Sequence, residues 1–295
     1  VVGTGLTPYG GALYLDCTGG RIEMQNSLFL KNVLIYNDGT TGAGGAVWAN
    51  LNITIVNSHF IGNRASEGGA IYLMVGRIHV LDSLFKANVA IQQGGGIRIF
   101  VNKGKGVHLT VERVDFIENQ VITTDNNVNN VDYGGGAIWV KYYDTTAEIK
   151  VTDSRFLKNE ASNGLSSDIP RGGAIFALCA PCSTSHVKKL NVRNTTFDKN
   201  KAGRGGAVYI KGHSTLNLYR SNVVTNEAYY GGGIFAYSDV VVNVNDSGIQ
   251  NNSANSMGGG LYFDTVSVNF YDSVIESNAA SAKGGGIMAH GSIVV

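Results

Sequence analysis

The sequence predicts an all-β chain wound into a parallel β-helix of about ten coils, each with two to three short strands. Three observations favour this fold: a glycine pair recurs ten times, a Phe-x-x-Asn turn lies between most successive pairs, and short segments alternate apolar and polar residues. The shortest interval between pairs, from Gly44 to Gly68, is 24 residues. A repeat of that length indicates a solenoid, and a glycine pair in every unit excludes helical repeats.

The glycine pairs mark the start of each coil. Each pair is followed by Ala or Gly and then by Leu, Val or Ile. We expect them to form corners that need positive φ or close backbone approach. They are not phosphate loops, because no helix is predicted to follow them. The first members of the pairs are Gly10, Gly44, Gly68, Gly94, Gly135, Gly172, Gly205, Gly231, Gly258 and Gly284.

The strand after each glycine pair carries three columns of side chains. Residues such as Ile71 and Leu73 are two apart, so they share one face, which we assign to the interior. The residue between them is aromatic in eight coils, and its parity predicts an exposed aromatic ladder on the outside: Tyr14, Trp48, Tyr72, Trp139, Phe176, Tyr209, Phe235 and Tyr262, with Arg98 and Met288 as exceptions. Such rings could bind glycans or an apolar partner. Alternatively, they pack on one another under the insertion loops and bind nothing.

The asparagine of each turn is predicted to be structural. A stack of buried amides can hydrogen-bond to the neighbouring coil and to local backbone, which would otherwise lack partners. The predicted asparagine ladder consists of Asn32, Asn63, Asn88, Asn119, Asn159, Asn200, Asn226, Asn252 and Asn278.

Composition excludes several classes of function. The chain has 43% hydrophobic residues, 15% charged residues and a net charge of +1. A nucleic-acid surface would need clustered Lys and Arg, so no nucleic-acid partner is expected. No apolar run approaches the roughly 20 residues of a spanning helix, so we expect no membrane insertion in this segment. The six histidines are scattered without metal-ligand spacing, and we predict neither a metal nor a cofactor.

Cys179 and Cys182 are predicted to form a disulfide that closes a small loop. Their C-x-x-C spacing also occurs in redox motifs, but that interpretation requires a strand leading into a helix. A zinc site would need two further ligands nearby.

Enzymes must be considered, because parallel β-helices include polysaccharide lyases and hydrolases. Asp246 and Asp272 occupy equivalent turn positions in successive coils, close enough for a carboxylate pair. However, Arg220 precedes them in the same column, and Arg113 falls between Asp82 and Asp153. We interpret this column as a charge-compensated turn ladder and predict that the chain is not an enzyme. A carbohydrate-active β-helix or a carbohydrate-binding module is the alternative.

Four sequons are candidate glycosylation sites in a secreted protein: Asn52, Asn194, Asn245 and Asn251. Asn251 is the best candidate, because it precedes the inward-facing Asn252 in a turn and should face outward.

The alternation of Gly44-Gly45-Ala46-Val47 or Gly68-Gly69-Ala70-Ile71 with Phe60-Ile61-Gly62-Asn63 resembles the repeats of polymorphic outer membrane proteins. The resemblance implies a right-handed parallel β-helix, an extracellular or cell-surface location, and display or adhesion rather than catalysis. The last three units depart from the pattern, with Val223, Ile249 and Ile275 in place of Phe. We expect residues 1–295 to form a single β-helix, a fragment of a longer chain with uncapped ends. Its expected partners are other chains, further domains of the same chain, or glycans.

Overall fold

The chain forms a right-handed parallel β-helix, which confirms the predicted fold class. A computed structural model describes residues 9–16, 20–34, 42–74, 77–101, 106–123, 132–143, 145–162 and 170–294. In those residues every strand is parallel to its neighbours and there is no helix. The first half of the chain contains β1 Leu13–Leu15, β2 Arg21–Gln25, β3 Leu28–Leu30, β4 Val47–Ala49, β5 Asn52–Val56, β6 His59–Ile61, β7 Arg64–Glu67, β8 Ile71–Leu73, β9 Arg77–Leu81, β10 Leu84–Lys86, β11 Val89–Gln93, β12 Ile97–Phe100, β13 Val107–Glu112, β14 Asp115–Ile117, β15 Gln120–Ile122, β16 Ile138–Tyr142 and β17 Ala147–Thr152. The second half contains β18 Arg155–Leu157, β19 Glu160–Ser162, β20 Ile175–Cys179, β21 Lys188–Arg193, β22 Thr196–Asp198, β23 Lys201–Arg204, β24 Val208–Lys211, β25 Thr215–Tyr219, β26 Asn222–Val224, β27 Glu227–Tyr230, β28 Ile234–Asn245, β29 Gly248–Gln250, β30 Ser253–Met257, β31 Leu261–Tyr271, β32 Val274–Glu276, β33 Ala279–Ala280 and β34 Ile287–Val294.

These strands stack into four faces. The first face holds the strands that follow the glycine pairs (β1, β4, β8, β12, β16, β20, β24, β28, β31 and β34), and the second face begins with β2, β5, β9, β13, β17, β21 and β25. The third face is the nine-stranded sheet of the Phe-x-x-Asn turns, and the fourth is the eight-stranded sheet before the next glycine pair. Six coils therefore carry four strands rather than two or three, because the segment after the turn asparagine pairs with its counterparts. In β28 and β31 the first two faces run on as one long strand.

Equivalent residues lie directly above one another along the rod. Ile71 pairs with Val47 on one side and with Ile97 on the other. Phe85 pairs with Phe60 and Phe116 in the same way, although unequal insertions separate these turns in the sequence. Insertions therefore lengthen the connections without changing the register of the stack.

The interior is filled by the columns that the alternation predicted. Ile71 and Leu73 are 0% exposed, and they belong to one continuous hydrophobic core with their counterparts in the interior coils. The phenylalanines of the turns form a file of parallel rings with centroids 4.7–5.0 Å apart: Phe29, Phe60, Phe85, Phe116, Phe156 and Phe197. Val223, Ile249 and Ile275 continue this file toward the last coils.

The two glycines of a pair are needed for different reasons. Gly68 has a φ of +61°, in the left-handed region that side chains rarely adopt. Gly69 has an ordinary φ, but a Cβ there would lie 2.2 Å from the carbonyl oxygen of Gly95 in the next coil. One glycine allows the corner, and the other allows two coils to approach.

The asparagines form the predicted buried ladder. Each side-chain amide donates one hydrogen bond to the Oδ1 of the next asparagine, with N···O distances of 2.9–3.0 Å along the ladder. The same Oδ1 also accepts the backbone N–H of the preceding asparagine of the ladder, at 2.9–3.2 Å. From Asn63 onward, the second side-chain N–H bonds to a carbonyl one coil back, as Asn119 does to Phe85 at 2.9 Å. Every donor of an interior rung is thus used.

A second ladder, of hydroxyls, was not expected from the sequence. Ser83 Oγ accepts the backbone N–H of Ser58 in the coil before it at 3.1 Å, and the Ser58 Oγ donates to the Val56 carbonyl at 2.8 Å. Ser154, Thr195 and further serines repeat this arrangement along the rod. The hydroxyls thus provide hydrogen-bond acceptors for the backbone N–H groups at the corner between the second and third faces.

Candidate functional site

The aromatic column lies outside the main core, as its parity predicted, but it is not exposed. Trp48, Tyr72, Trp139, Phe176, Tyr209 and Phe235 are all buried, none more than 8% exposed. They belong to two hydrophobic clusters separate from the interior of the coil. Tyr14 alone in the column is clearly exposed, at 51%, and Tyr262 is half-buried. The prediction of an exposed aromatic ladder is therefore wrong for most of its length.

The residues that precede the glycine pairs help to cover the column. The guanidinium of Arg171 lies 5.3 Å from the Tyr209 ring centroid, and that of Arg204 lies 5.5 Å from the Phe235 ring. The Trp139 indole donates a hydrogen bond to the Asp132 carbonyl at 2.8 Å. These covering residues lie outside the strands that carry the column, so the alternation within a strand could not predict that the column is buried.

Arg98 is a rung of the same column rather than an interruption. Its guanidinium lies between two rings, 4.4 Å from the Tyr72 centroid and 4.8 Å from the Trp139 centroid. Gln93 accepts its Nε–H at 2.6 Å, and Glu67 forms an ion pair with it at 3.3 Å. The cation thus replaces an aromatic ring in the stack.

The faces of the rings are already in use. Phe235 stacks on Tyr209 at 5.4 Å and on Tyr262 at 4.7 Å, with interplanar angles of 12° and 3°. A sugar stacks on the face of an aromatic ring, and along most of this column a neighbouring coil occupies both faces. The arrangement agrees with the alternative in which the rings pack on one another under cover.

The turn carboxylates are paired with arginines across coils. Arg113 contacts Asp82 at 2.6 Å, and Arg220 contacts Asp246 at 3.0 Å. The hydrogen bond from Arg113 lowers the pKa of the Asp82 carboxyl below its ordinary value. Catalytic acids need the opposite shift. Asp272 follows Asp246 in the same column, since Asn245 pairs with Tyr271. The pairs agree with a charge-compensated ladder.

The structure places the cysteines and the sequons as follows. Cys179 and Cys182 form a disulfide at the end of β20. Asn251 is exposed and precedes the buried Asn252, while Asn52 and Asn194 are also exposed, and Asn245 is half-buried. Within the described part of the chain, no three His, Cys, Asp or Glu side chains are grouped so as to hold a metal ion.

One polar groove was missed at the sequence level. On the second face, Arg21, Arg77, His79 and His108 line a groove of about 430 Å³ together with Asn52 and two threonines. Their spacing in the sequence is irregular, because unequal insertions separate the coils. Counting back from the phenylalanine of each turn, rather than along the chain, aligns one column of the groove: Arg21, Asn52, Arg77 and His108 each lie eight positions before it.

Two segments match a known family model, that of the Chlamydia polymorphic membrane protein repeat, at residues 57–73 and 194–211. The chain carries repeats of this family. The comparison with curated proteins and the comparison with solved structures each gave no match.

The two matched segments each cover three of the four strands of a coil. Residues 57–73 run from the corner before the Phe60–Asn63 turn through Gly68 and Gly69 to the end of β8, and residues 194–211 cover the equivalent part of a later coil. The match associates these two segments with a repeat of membrane proteins. Within the described segments, no helix is long and apolar enough to cross a membrane.

Proposed function

We propose that this chain is a non-catalytic rod at the cell surface that serves as a structural or adhesive element. The observation that carries the proposal is the presence of polymorphic membrane protein repeats in a β-helix whose internal ladders satisfy one another from coil to coil. Such a scaffold holds its outer faces in a fixed geometry over many coils, as display and adhesion require.

The electrostatics of the turns support a non-catalytic role. A glycosidase or lyase needs a carboxylate with a raised pKa, or one free to act as a base. Asp82, Asp115 and Asp246 each contact an arginine of a neighbouring coil. Each of these carboxylates therefore already has a cationic partner.

The cellular location can be tested by labelling intact cells of the source organism with an antibody to the chain. We expect labelling without permeabilisation, and loss of the signal when intact cells are treated with protease. A signal that appears only after permeabilisation would contradict the proposed location.

Catalysis and adhesion can be tested with the purified chain. We expect no new reducing ends or unsaturated uronates from pectin, alginate, chondroitin or xylan, and we expect beads coated with the chain to bind to host or neighbouring cells more than albumin-coated beads. Turnover that disappears in Asp246→Asn would instead support the carbohydrate-active alternative. Beads that bind no better than albumin would restrict the role to structure.

A further inference from the structure

The groove on the second face is lined by two columns of side chains, whose positions are set by the pairing of neighbouring strands. Asn52 lies between Arg21 on one neighbouring strand and the position of Arg77 on the other, and Arg77 pairs with His108 of the next coil. Successive coils are about 4.8 Å apart. The Cα atoms of Arg21 and Arg77 are therefore roughly 10 Å apart along the rod, with Asn52 between them.

The second column completes the lining of the groove. His79 lies between Thr54 and Thr110, which are its partners on the two neighbouring strands. The side chains that line the groove are thus two arginines, two histidines, two threonines and one asparagine, besides two isoleucines. All of the polar ones can donate hydrogen bonds.

Within these two columns, as far as the structure describes the chain, acidic side chains lie only at the ends of the groove. Glu23 lies 4.0 Å from Arg21 at one end, and Glu148 lies 3.9 Å from His108 at the other. Glu148 is also held by Lys150 at 2.9 Å. Neither carboxylate lines the groove. The chain as a whole has a net charge of only +1, so this concentration of donors is local.

We propose that this groove binds the sulfate and carboxylate groups of an acidic polysaccharide. The guanidinium groups would pair with successive anionic groups of the polymer, and the amide and hydroxyls would bond to its neutral oxygens. The inference rests on the proposed adhesive role and deepens it by naming the ligand.

The lining disfavours other polyanions. Single-stranded nucleic acids are held by stacking on aromatic side chains, and the groove has none. A membrane surface is usually bound with apolar side chains inserted beside the basic ones. Here Ile53 and Ile78 are 2% and 3% exposed, because they point into the core.

Ligand binding in the groove and glycosylation of the sequon at Asn52 exclude each other. Asn52 is both a predicted glycosylation site and a member of the lining. A glycan attached to it would fill the space between Arg21 and Arg77. Mass spectrometry of the chain from its natural source therefore gives a first result: an unmodified Asn52 is expected, and full glycosylation at that position would overturn the proposal.

The main experiment measures the elution of the whole chain, made without glycosylation, from immobilised heparin as a function of salt. We expect the double variant Arg21→Gln/Arg77→Gln to elute at lower salt and to reduce the slope of log affinity against log salt by about 1 to 2, since two ionic contacts are lost. Lys189→Gln/Arg193→Gln is the matched control. It removes the same charge from exposed positions on the same face, outside the groove.

The two double variants separate local binding from general attraction. If both lower the elution salt equally, the interaction follows net charge and the proposal fails. If the groove variant abolishes binding to phosphatidylserine vesicles but not to heparin, the site is a membrane site and the proposal also fails. If heparin binding is absent while coated beads still bind to cells, the groove assignment falls and the adhesive role stands.

Discussion

The asparagine ladder predicts that removing a single buried amide, that of Asn119, destabilises the folded chain strongly. Asn119 is 0% exposed, donates to Asn159 Oδ1 at 3.0 Å and to the Phe85 carbonyl at 2.9 Å, and accepts two hydrogen bonds from Asn88. Replacing it with alanine leaves three buried groups without this partner: the Asn88 backbone N–H, one Asn88 side-chain N–H and the Phe85 carbonyl.

The expected cost follows from burial. A buried polar group that loses its partner costs about 1–3 kcal/mol, so three of them should lower the free energy of unfolding by at least about 3 kcal/mol. Asn217→Ala is a matched control. Asn217 belongs to an outer amide file, bonded to Asn191 and Asn243 at 2.7 Å each, but it is only half-buried. Water can replace its bonds, so its loss should cost less than about 1 kcal/mol.

The assay is urea unfolding of the whole chain, followed by circular dichroism, with the slope against denaturant compared between variants. Equal slopes are required, because repeat proteins can unfold in parts and then yield no single free energy. If Asn119→Ala costs no more than Asn217→Ala at equal slope, the buried ladder does not stabilise the stack and the argument from hydrogen-bond satisfaction is wrong.

Four further substitutions test other parts of the scaffold, all by the same unfolding assay. Gly69→Ala should prevent folding or cost more than about 4 kcal/mol, because its Cβ would lie 2.2 Å from a carbonyl oxygen. Gly62→Ala should cost only about 1 kcal/mol, since Ala87 already has positive φ at the equivalent corner. Equal costs for Gly69→Ala and Gly62→Ala would show that the close approach of two coils at Gly69 does not require glycine. Burial raises the pKa of the Tyr142 hydroxyl to about 12, so this hydroxyl loses its proton at a lower pH in the unfolded chain than in the folded chain. The free energy of unfolding should therefore fall by about 2–3 kcal/mol between pH 10 and 12. Tyr142→Phe should remove that part of the decline, and an unchanged pH profile would contradict this. Arg98→Met should cost about 1–3 kcal/mol, because it leaves the buried Gln93 side chain without its donor and the half-buried Glu67 carboxylate without its counter-charge. An unchanged midpoint would contradict it.

The fold could be predicted from the sequence because its constraints are local and repeated. At Gly68 and Gly69 an added Cβ would lie within 2.4 Å of a backbone oxygen, and Asn63 marks a turn whose side chain donates two hydrogen bonds and also accepts, as an amide can. A period of two then assigns Ile71 and Leu73 to the interior. None of these inferences requires knowledge of which coils touch, since every coil repeats the same arrangement.

The burial of the aromatic column could not be predicted in the same way. The period of two gives the side of the strand on which Trp139 lies, but not what lies above it. The cover comes from residues before the glycine pairs, such as Arg171, and from insertions such as the one that brings Asp132 to the indole. An arginine in an apolar column looks like an exception in sequence, and only the stack shows that Arg98 fills the place of a ring.

The basic groove shows why distance along the chain is a poor guide in a β-helix. Arg21 and Arg77 are 56 residues apart in the sequence, yet only Asn52 separates them along the second face. The register is fixed inside the coil by glycines, asparagines and apolar files, while the outer positions of the same strands are free to vary. A binding surface can therefore be assembled on such a rod one residue per coil, without any motif that a linear pattern would contain. Its chemistry has to be sought by aligning the coils and comparing the charges of outward columns, where this chain places its donors together and its carboxylates at the ends.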